Sequence, residues 1–284
     1  MLLGLVQLTS SDDVLYNLQR VELYIAQLSE SGVQLIVLPE NFAAFGMKQY
    51  RQLASDEADP EKAVIIPLLK KLAIQYQVWI CAGTIPLQPI RQTVTPNSVS
   101  NPNAATLLID NKGQITARYN KIHLFDAQVQ DQQKNYSESL SYAPGRSLTI
   151  IDSPFGRLGL AVCYDLRFAE MFLEFRRRGV DVVLLPSAFT QATGSAHWET
   201  LIRCRAIENG LFIAAANQGG CHFNQRHTWG HSMVVDPWGT ILGELDQLPG
   251  VLTMNIDTTR VPDARQAIPT HWHRAQRHSR NLQW

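Results

Sequence analysis

Cys163 is placed for chemistry by the residues around it. The apolar run 158–162, Leu-Gly-Leu-Ala-Val, stops at Cys163-Tyr164-Asp165-Leu166-Arg167-Phe168, and a helical pattern follows. A thiol where a strand gives way to a helix lies near backbone N–H groups and the positive helix end, a setting that favours the thiolate. The same position also reads as a small hydrophobe closing a core strand. A thiolate nucleophile needs a base, a cation or N–H donor for the oxyanion, and a group to protonate the leaving atom. Three residues are of the right type. Glu40 follows the apolar run 35–38 and Pro39, and reads either as a buried proton-transfer carboxylate or as a turn cap. Lys121, in Arg-Tyr-Asn-Lys-Ile-His-Leu-Phe (118–125), is either a fixed cation or a snorkelling edge residue. Glu138 lies in Tyr-Ser-Glu-Ser within a polar stretch, and alone would be a solvated loop residue. Arg167 comes four positions after Cys163, where one helical turn returns it toward the nucleophile. It could grip a carboxylate with its guanidinium fork, or pair with Asp165 or Glu170.

The elements that must position these groups alternate. Strand-like runs are predicted over 3–8, 34–38, 78–83, 105–109, 114–119, 148–151, 158–163, 181–185, 211–216, 232–236 and 251–256. Helical stripes lie between them: Leu18, Val21, Ile25 and Leu28; Ile65, Leu68, Leu69 and Leu72; Met171, Phe172 and Phe175; Trp198, Leu201 and Ile202. Such alternation indicates parallel strands with crossover helices, and the turn Asp110-Asn111-Lys112-Gly113 adds a hairpin. Residues 32–42 match 179–189 in pattern and length, each ending in Leu-Pro-x-x-Phe, and Leu3-Gly4-Leu5 and Leu158-Gly159-Leu160 precede them in the same order. Two like halves packed face to face would form one pseudo-symmetric α/β sandwich. Ligand sites in α/β sheets lie beyond the carboxyl ends of strands, where Glu40, Cys163 and Ser187 fall. Residues 88–103 and 125–144 read as loops of a length that carries function. The domain is expected over 1–260, with 261–284 an extended Arg-, His- and Trp-containing tail packing at a subunit interface.

Composition narrows the partners. Lys plus Arg and Asp plus Glu number 25 each, so no net field points to nucleic acid or a membrane surface. No run is long enough to span a bilayer, and no basic signal region precedes the first strand. The four cysteines (Cys81, Cys163, Cys204, Cys221) form no C-x-x-C pair, which suits a reducing cytoplasm. The spacing of His222, His227 and His231 matches no common zinc pattern, so neither metal nor cofactor is expected.

Taken in order, Leu38-Pro39-Glu40-Asn41, Tyr119-Asn120-Lys121-Ile122-His123-Leu124-Phe125-Asp126, Glu138 and Gly159-Leu160-Ala161-Val162-Cys163-Tyr164-Asp165 resemble the carbon–nitrogen hydrolase (nitrilase) superfamily almost end to end. The resemblance implies an αββα sandwich that forms a homodimer, and a Glu40–Lys121–Cys163 catalytic set assisted by Glu138. True nitrilases typically carry Cys-Trp-Glu at the nucleophile. Cys163-Tyr164-Asp165, Ser187-Ala188-Phe189 and Gly230-His231-Ser232-Met233-Val234-Val235-Asp236-Pro237-Trp238-Gly239 look instead like the Nit branch. Within that branch the last run is most similar to members that cleave deaminated glutathione, and less to the ω-amidases that take α-ketoglutaramate. The implied partner is therefore a small carboxylate-bearing amide hydrolysed through a Cys163 thioester. Phe189 and Thr193 resemble the positions that complete the carboxylate pocket of the branch beside Arg167, and Tyr164 is expected to bind substrate through its N–H, beside Lys121 at the oxyanion. One departure is visible, since the stretch between Lys121 and Glu138 is about one residue longer than usual and lacks the usual Pro-Gly. A catalytically dead binding protein on the same fold, a nitrile hydrolase and an acyltransferase are the competing readings.

Overall fold

The computed structural model describes residues 1–90, 101–131 and 133–279, so much of the loop expected at 88–103 and the end of the tail lie outside the described residues. In chain order the first half runs β1 (Leu2–Gln7), α1 (Val14–Glu30), β2 (Leu35–Val37), α2 (Tyr50–Asp56), α3 (Ile65–Tyr76), β3 (Trp79–Cys81), β4 (Ile85–Leu87), β5 (Asn103–Ile109) and β6 (Ile115–Asn120). A small hairpin, β7 (Asp126–Gln128) and β8 (Asn135–Ser137), follows. The second half runs β9 (Thr149–Ser153), β10 (Gly156–Leu160), α4 (Ala169–Arg177), β11 (Val182–Ser187), α5 (Gln191–Asn209) and β12 (Phe212–Asn217). It continues through the hairpin β13 (Gly219–Cys221) and β14 (His227–Trp229) to β15 (Met233–Val235) and β16 (Ile241–Glu244). Strand β17 (Gly250–Asn255) then returns to the first sheet.

The two main sheets share one plan. The first has the order β17-β1-β2-β3-β5, with β4 and β6 both pairing β5, and the second β9-β10-β11-β12-β15-β16. In each, three parallel strands are flanked by antiparallel neighbours on both sides. Leu3, Leu5, Leu35 and Val37 point between the sheets, joining Leu158, Leu160 and the β11 and β12 side chains in one core. Their alternates Val6, Ile36 and Leu38 pack outward against Leu18, Val21, Ile25 and Leu28 of α1 and Leu69 and Leu72 of α3. This is the period-two alternation of strands covered on both faces. Helices α4 and α5 cover the other side, giving α, β, β and α layers as the resemblance implied. Gly4 and Gly159 occupy matching places. A Cβ on Gly4 would lie 2.8 Å from Leu28 of α1, and one on Gly159 3.1 Å from the Phe175 ring of α4, so each glycine lets its strand seat against a helix.

Two expectations are corrected. The strand predicted over 158–163 ends at Leu160, and Cys163–Arg167 form a tight 3-10 turn before α4. The tail is helical, not extended: α6 (Arg260–Ala267) and α7 (Thr270–Ser279) occupy it. Buried Val261 joins the core, and Arg265 donates to the carbonyl of Gly210, so α6 packs on the body of its own chain.

Candidate active site

Each chemical side chain enters from the end of a strand. Glu40 follows β2 on a loop held from three sides. The Leu38 N–H donates to Cys81, the Asn41 N–H donates to the Thr84 hydroxyl at 2.8 Å, and Gln218 Nε2 donates to the Glu40 carbonyl at 2.9 Å. Gly83 (φ 34°) lets the neighbouring chain pass, since a Cβ there would collide with the Pro39 carbonyl. Lys121 follows β6, its N–H donating to Ala104 and its carbonyl accepting from Gly145 at 2.7 Å. Cys163 opens the turn after β10 with φ 46°, a left-handed conformation that few non-glycine residues adopt. Strained backbone of this kind clusters at functional sites.

The charged groups converge. Lys121 Nζ donates to Glu40 Oε1 at 2.7 Å and to Glu138 Oε2 and Oε1 at 2.8 and 3.0 Å. Glu138 also accepts from the Phe125 N–H at 2.6 Å. The hairpin β7–β8 absorbs the longer stretch between Lys121 and Glu138 and returns the carboxylate to the lysine. Lys121 is 1% exposed and Glu40 3%. Burial opposes the Lys121 charge, but Glu138 and Glu40 outweigh it and hold the ammonium well above its ordinary range. Burial raises the Glu138 carboxyl, with Lys121 opposing and Glu40 reinforcing.

The thiolate expected from the strand-to-helix junction is disfavoured in this setting. Burial, and then the Glu40 charge, push the Cys163 thiol well above the ordinary cysteine range; Lys121 and the Ala188 N–H pull the other way and do not prevail. A five-residue 3-10 turn presents only a weak dipole against that. The thiol instead shares a cavity wall with Glu40, a base placed to take its proton when a substrate arrives.

Two recesses share Cys163 and Phe125. One is a cavity of about 380 Å³ lined by Glu40, Lys121, Glu138, Tyr50, Tyr142 and Arg226 among others. The other is a crevice of only about 10 Å³, lined by Tyr164, Arg167, Phe189 and Thr193. The structure therefore brings all four predicted pocket residues together beside the nucleophile. Arg167 pairs with neither Asp165 nor Glu170. Its guanidinium lies 5.3 Å from the Phe189 ring centre and 6.0 Å from that of Tyr164, and meets His197 Nδ1 at 3.3 Å.

The carbon–nitrogen hydrolase family profile matches residues 2–266. The chain belongs to this family. Within it, the chain is 40% identical over 271 residues to a deaminated glutathione amidase from Yersinia enterocolitica, covering 95% of this chain and 91% of that protein. The nitrilase–fragile histidine triad fusion protein NitFhit of Caenorhabditis elegans superposes with a TM-score of 0.82 at 34% identity, covering 96% of this chain and 64% of that one. An amidase from Nesterenkonia sp. AN1 superposes with a TM-score of 0.76 at 26% identity, covering 96% of this chain and 97% of that one. In that structure, which is of a single-residue mutant, the acetamide moiety of fluoroacetamide is added covalently at the active-site cysteine.

Two residues of this carbon–nitrogen hydrolase site escape sequence reasoning. Asp165 is fully buried and accepts from Tyr119 Oη at 2.7 Å, the Val162 N–H at 2.8 Å and the His123 N–H at 3.2 Å, with His123 Nδ1 2.6 Å away. It thus ties the lysine segment to the nucleophile turn. The only signal was its place in Cys-Tyr-Asp. Arg226 sits on the turn between β13 and β14 and lines the large cavity, and nothing local in Phe-Asn-Gln-Arg marks it. The histidines disperse: His222 is buried against Ser10 and Thr228, while His231 meets Glu244.

Proposed function

We propose that this hydrolase cleaves the amide of deaminated glutathione, giving 2-oxoglutarate and Cys-Gly, through a thioester on Cys163. The observation that carries the chemistry is the buried Glu40–Lys121–Glu138 cluster against the Cys163 thiol. Glu40 takes the thiol proton as sulfur attacks the amide carbon. Lys121 and the Tyr164 N–H hold the oxyanion, and Glu138 orients Lys121. As the C–N bond breaks, Glu40 passes its proton to the departing amine. It then deprotonates a water that attacks the thioester, and the proton returns to sulfur as the acid leaves.

The two recesses give the substrate a direction. Glu40 lines the large cavity and not the crevice, so the amine it protonates lies on the cavity side. The acyl half then faces the crevice, which at about 10 Å³ must widen as Arg167 exchanges His197 for the keto-acid carboxylate beside Phe189 and Thr193. A cavity of about 380 Å³ suits a dipeptide leaving group, which favours deaminated glutathione over α-ketoglutaramate, whose leaving group is ammonia. The Yersinia relative's name supports the same substrate. We take the working form to be a cytoplasmic homodimer with residues 261–284 at the subunit interface. Four free cysteines and the exposed Trp238, Ile268 and Trp272 support this. Among the described residues no helix is long and apolar enough to cross a membrane. The test is turnover of deaminated glutathione beside α-ketoglutaramate, with 2-oxoglutarate and either Cys-Gly or ammonia measured. Higher kcat/KM for deaminated glutathione, lost in Cys163→Ala, is expected. Preference for α-ketoglutaramate would make the chain an ω-amidase.

A further inference from the structure

Arg226 is a cation built into the cavity wall with no ion-pair partner among the described residues. Its guanidinium carbon lies 4.7 Å from the Phe45 ring centre and 4.9 Å from that of Tyr136, so it is held between two aromatic rings. No carboxylate among the described residues comes within 4.0 Å of it, and its buried Nε has no hydrogen-bond partner there. Buried N–H groups are rarely left unmatched, and a bound group that supplies the acceptor is one way such a donor is satisfied.

The turn that presents Arg226 is anchored firmly. The His222 N–H donates to the Arg226 carbonyl at 2.8 Å, and the His222 ring stacks on Phe45 at 3.8 Å. The same ring meets the Ser10 carbonyl at 2.7 Å and the Thr228 hydroxyl at 2.8 Å. Phe45 is therefore packed between His222 and Arg226. An arginine fixed this way is pre-ordered to receive a planar anion, and loses little freedom in doing so.

We propose that Arg226 binds a carboxylate on the leaving-amine half of the substrate. This rests on the proposed function, which places that half in the large cavity with Glu40 and leaves Arg167 to the acyl half. The substrate class is thus an amide with carboxylates on both sides of the scissile bond, one read by each arginine. In deaminated glutathione the second carboxylate is that of the terminal glycine.

The experiment compares deaminated glutathione with its C-terminal carboxamide on wild type, Arg226→Met and Arg226→Lys. Wild type should favour the free carboxylate by about tenfold to a hundredfold in kcat/KM, the span expected of a hydrogen bond to a charged group, chiefly through KM. Arg226→Met should bring the ratio close to one, and Arg226→Lys should leave it between. Both substrates are measured on one preparation, so any misfolded fraction cancels from the ratio. A wild-type ratio near one, or an undiminished ratio in Arg226→Met, overturns the proposal while leaving the amidase reading intact. Wild type that hydrolyses neither compound overturns the substrate reading and this proposal with it.

Discussion

Lys121 illustrates how burial changes what a residue is for. In a solvated edge position it would contribute almost nothing. Here it lies between two carboxylates at 2.7 and 2.8 Å, away from water, and neutralises a site that would otherwise hold two buried negative groups. Removing one partner from such a cluster strands the others, which commonly costs 3–5 kcal/mol or so. Lys121→Met should therefore lower the thermal midpoint and slow acylation by about 10²–10³, the usual cost of a lost oxyanion donor. Adding Glu138→Gln should recover part of the midpoint and none of the acylation rate. Single-turnover acylation by an activated ester, read beside thermal unfolding, checks both. An unchanged burst in Lys121→Met would remove it from the oxyanion role. The residue types and their order along the chain were enough to nominate Glu40, Lys121, Glu138 and Cys163. The state of the thiol was not legible, because it depends on how completely the fold excludes water and on how close Glu40 comes, and neither is written in local sequence.

At the scale of elements, Asp165 links two strand ends. Its carboxylate receives Tyr119 and His123 from the segment around Lys121 and the Val162 N–H beside the nucleophile, while His123 stacks on Phe168 at 3.5 Å. The oxyanion cation and the nucleophile are thereby set against each other by one side chain that lines neither the cavity nor the crevice. Asp165→Asn keeps the shape but replaces one acceptor with a donor. We expect kcat to fall by one to two orders of magnitude, as about 2 kcal/mol of misplacement would give, with KM little changed. Equal losses in kcat and KM would instead mean that the turn no longer forms the pocket wall. All eleven predicted strands are present: the central ones are buried on both faces and leave apolar runs in the sequence, and the half-buried β6, β9 and β17 keep enough apolar residues to show. The elements that were missed, β4, β7, β8, β13, β14 and β16, have three or four residues each and owe their form to hairpin partners. Both small hairpins fell in stretches too short and polar to show a period, and they carry Glu138 and Arg226 into the site.

Across the whole molecule, the site lies on the seam between the two halves. Glu40, Lys121 and Glu138 come from the first half, and Cys163, Arg167 and Arg226 from the second. The shared Leu-Gly-Leu and Leu-Pro patterns made the likeness of the halves visible, and the matching strand orders and the paired Gly4 and Gly159 give it a physical basis. The seam is polar and buried. Gln7 donates to Asp246 at 2.8 Å and accepts from Ser232 at 2.8 Å, Gln218 bridges Ser10 and Glu40, and His222 meets the Ser10 carbonyl. His222 makes the seam sensitive to acid. Burial, only partly offset by the Ser10 carbonyl and reinforced by Arg226, lowers its ring from 6.5 to about 4. Between those values the unfolded chain binds the proton and the folded chain does not, so stability is full above about pH 6.5 and falls as pH drops toward 4. The loss amounts to something on the order of 3 kcal/mol, and no more is lost through this group at lower pH. His222→Gln retains donor and acceptor atoms but cannot titrate. It should be less stable than wild type at neutral pH and lose less on acidification, so the two denaturation midpoints converge between pH 6.5 and 4. Parallel slopes for the two proteins over that window would show that the acid sensitivity of the seam lies in other groups.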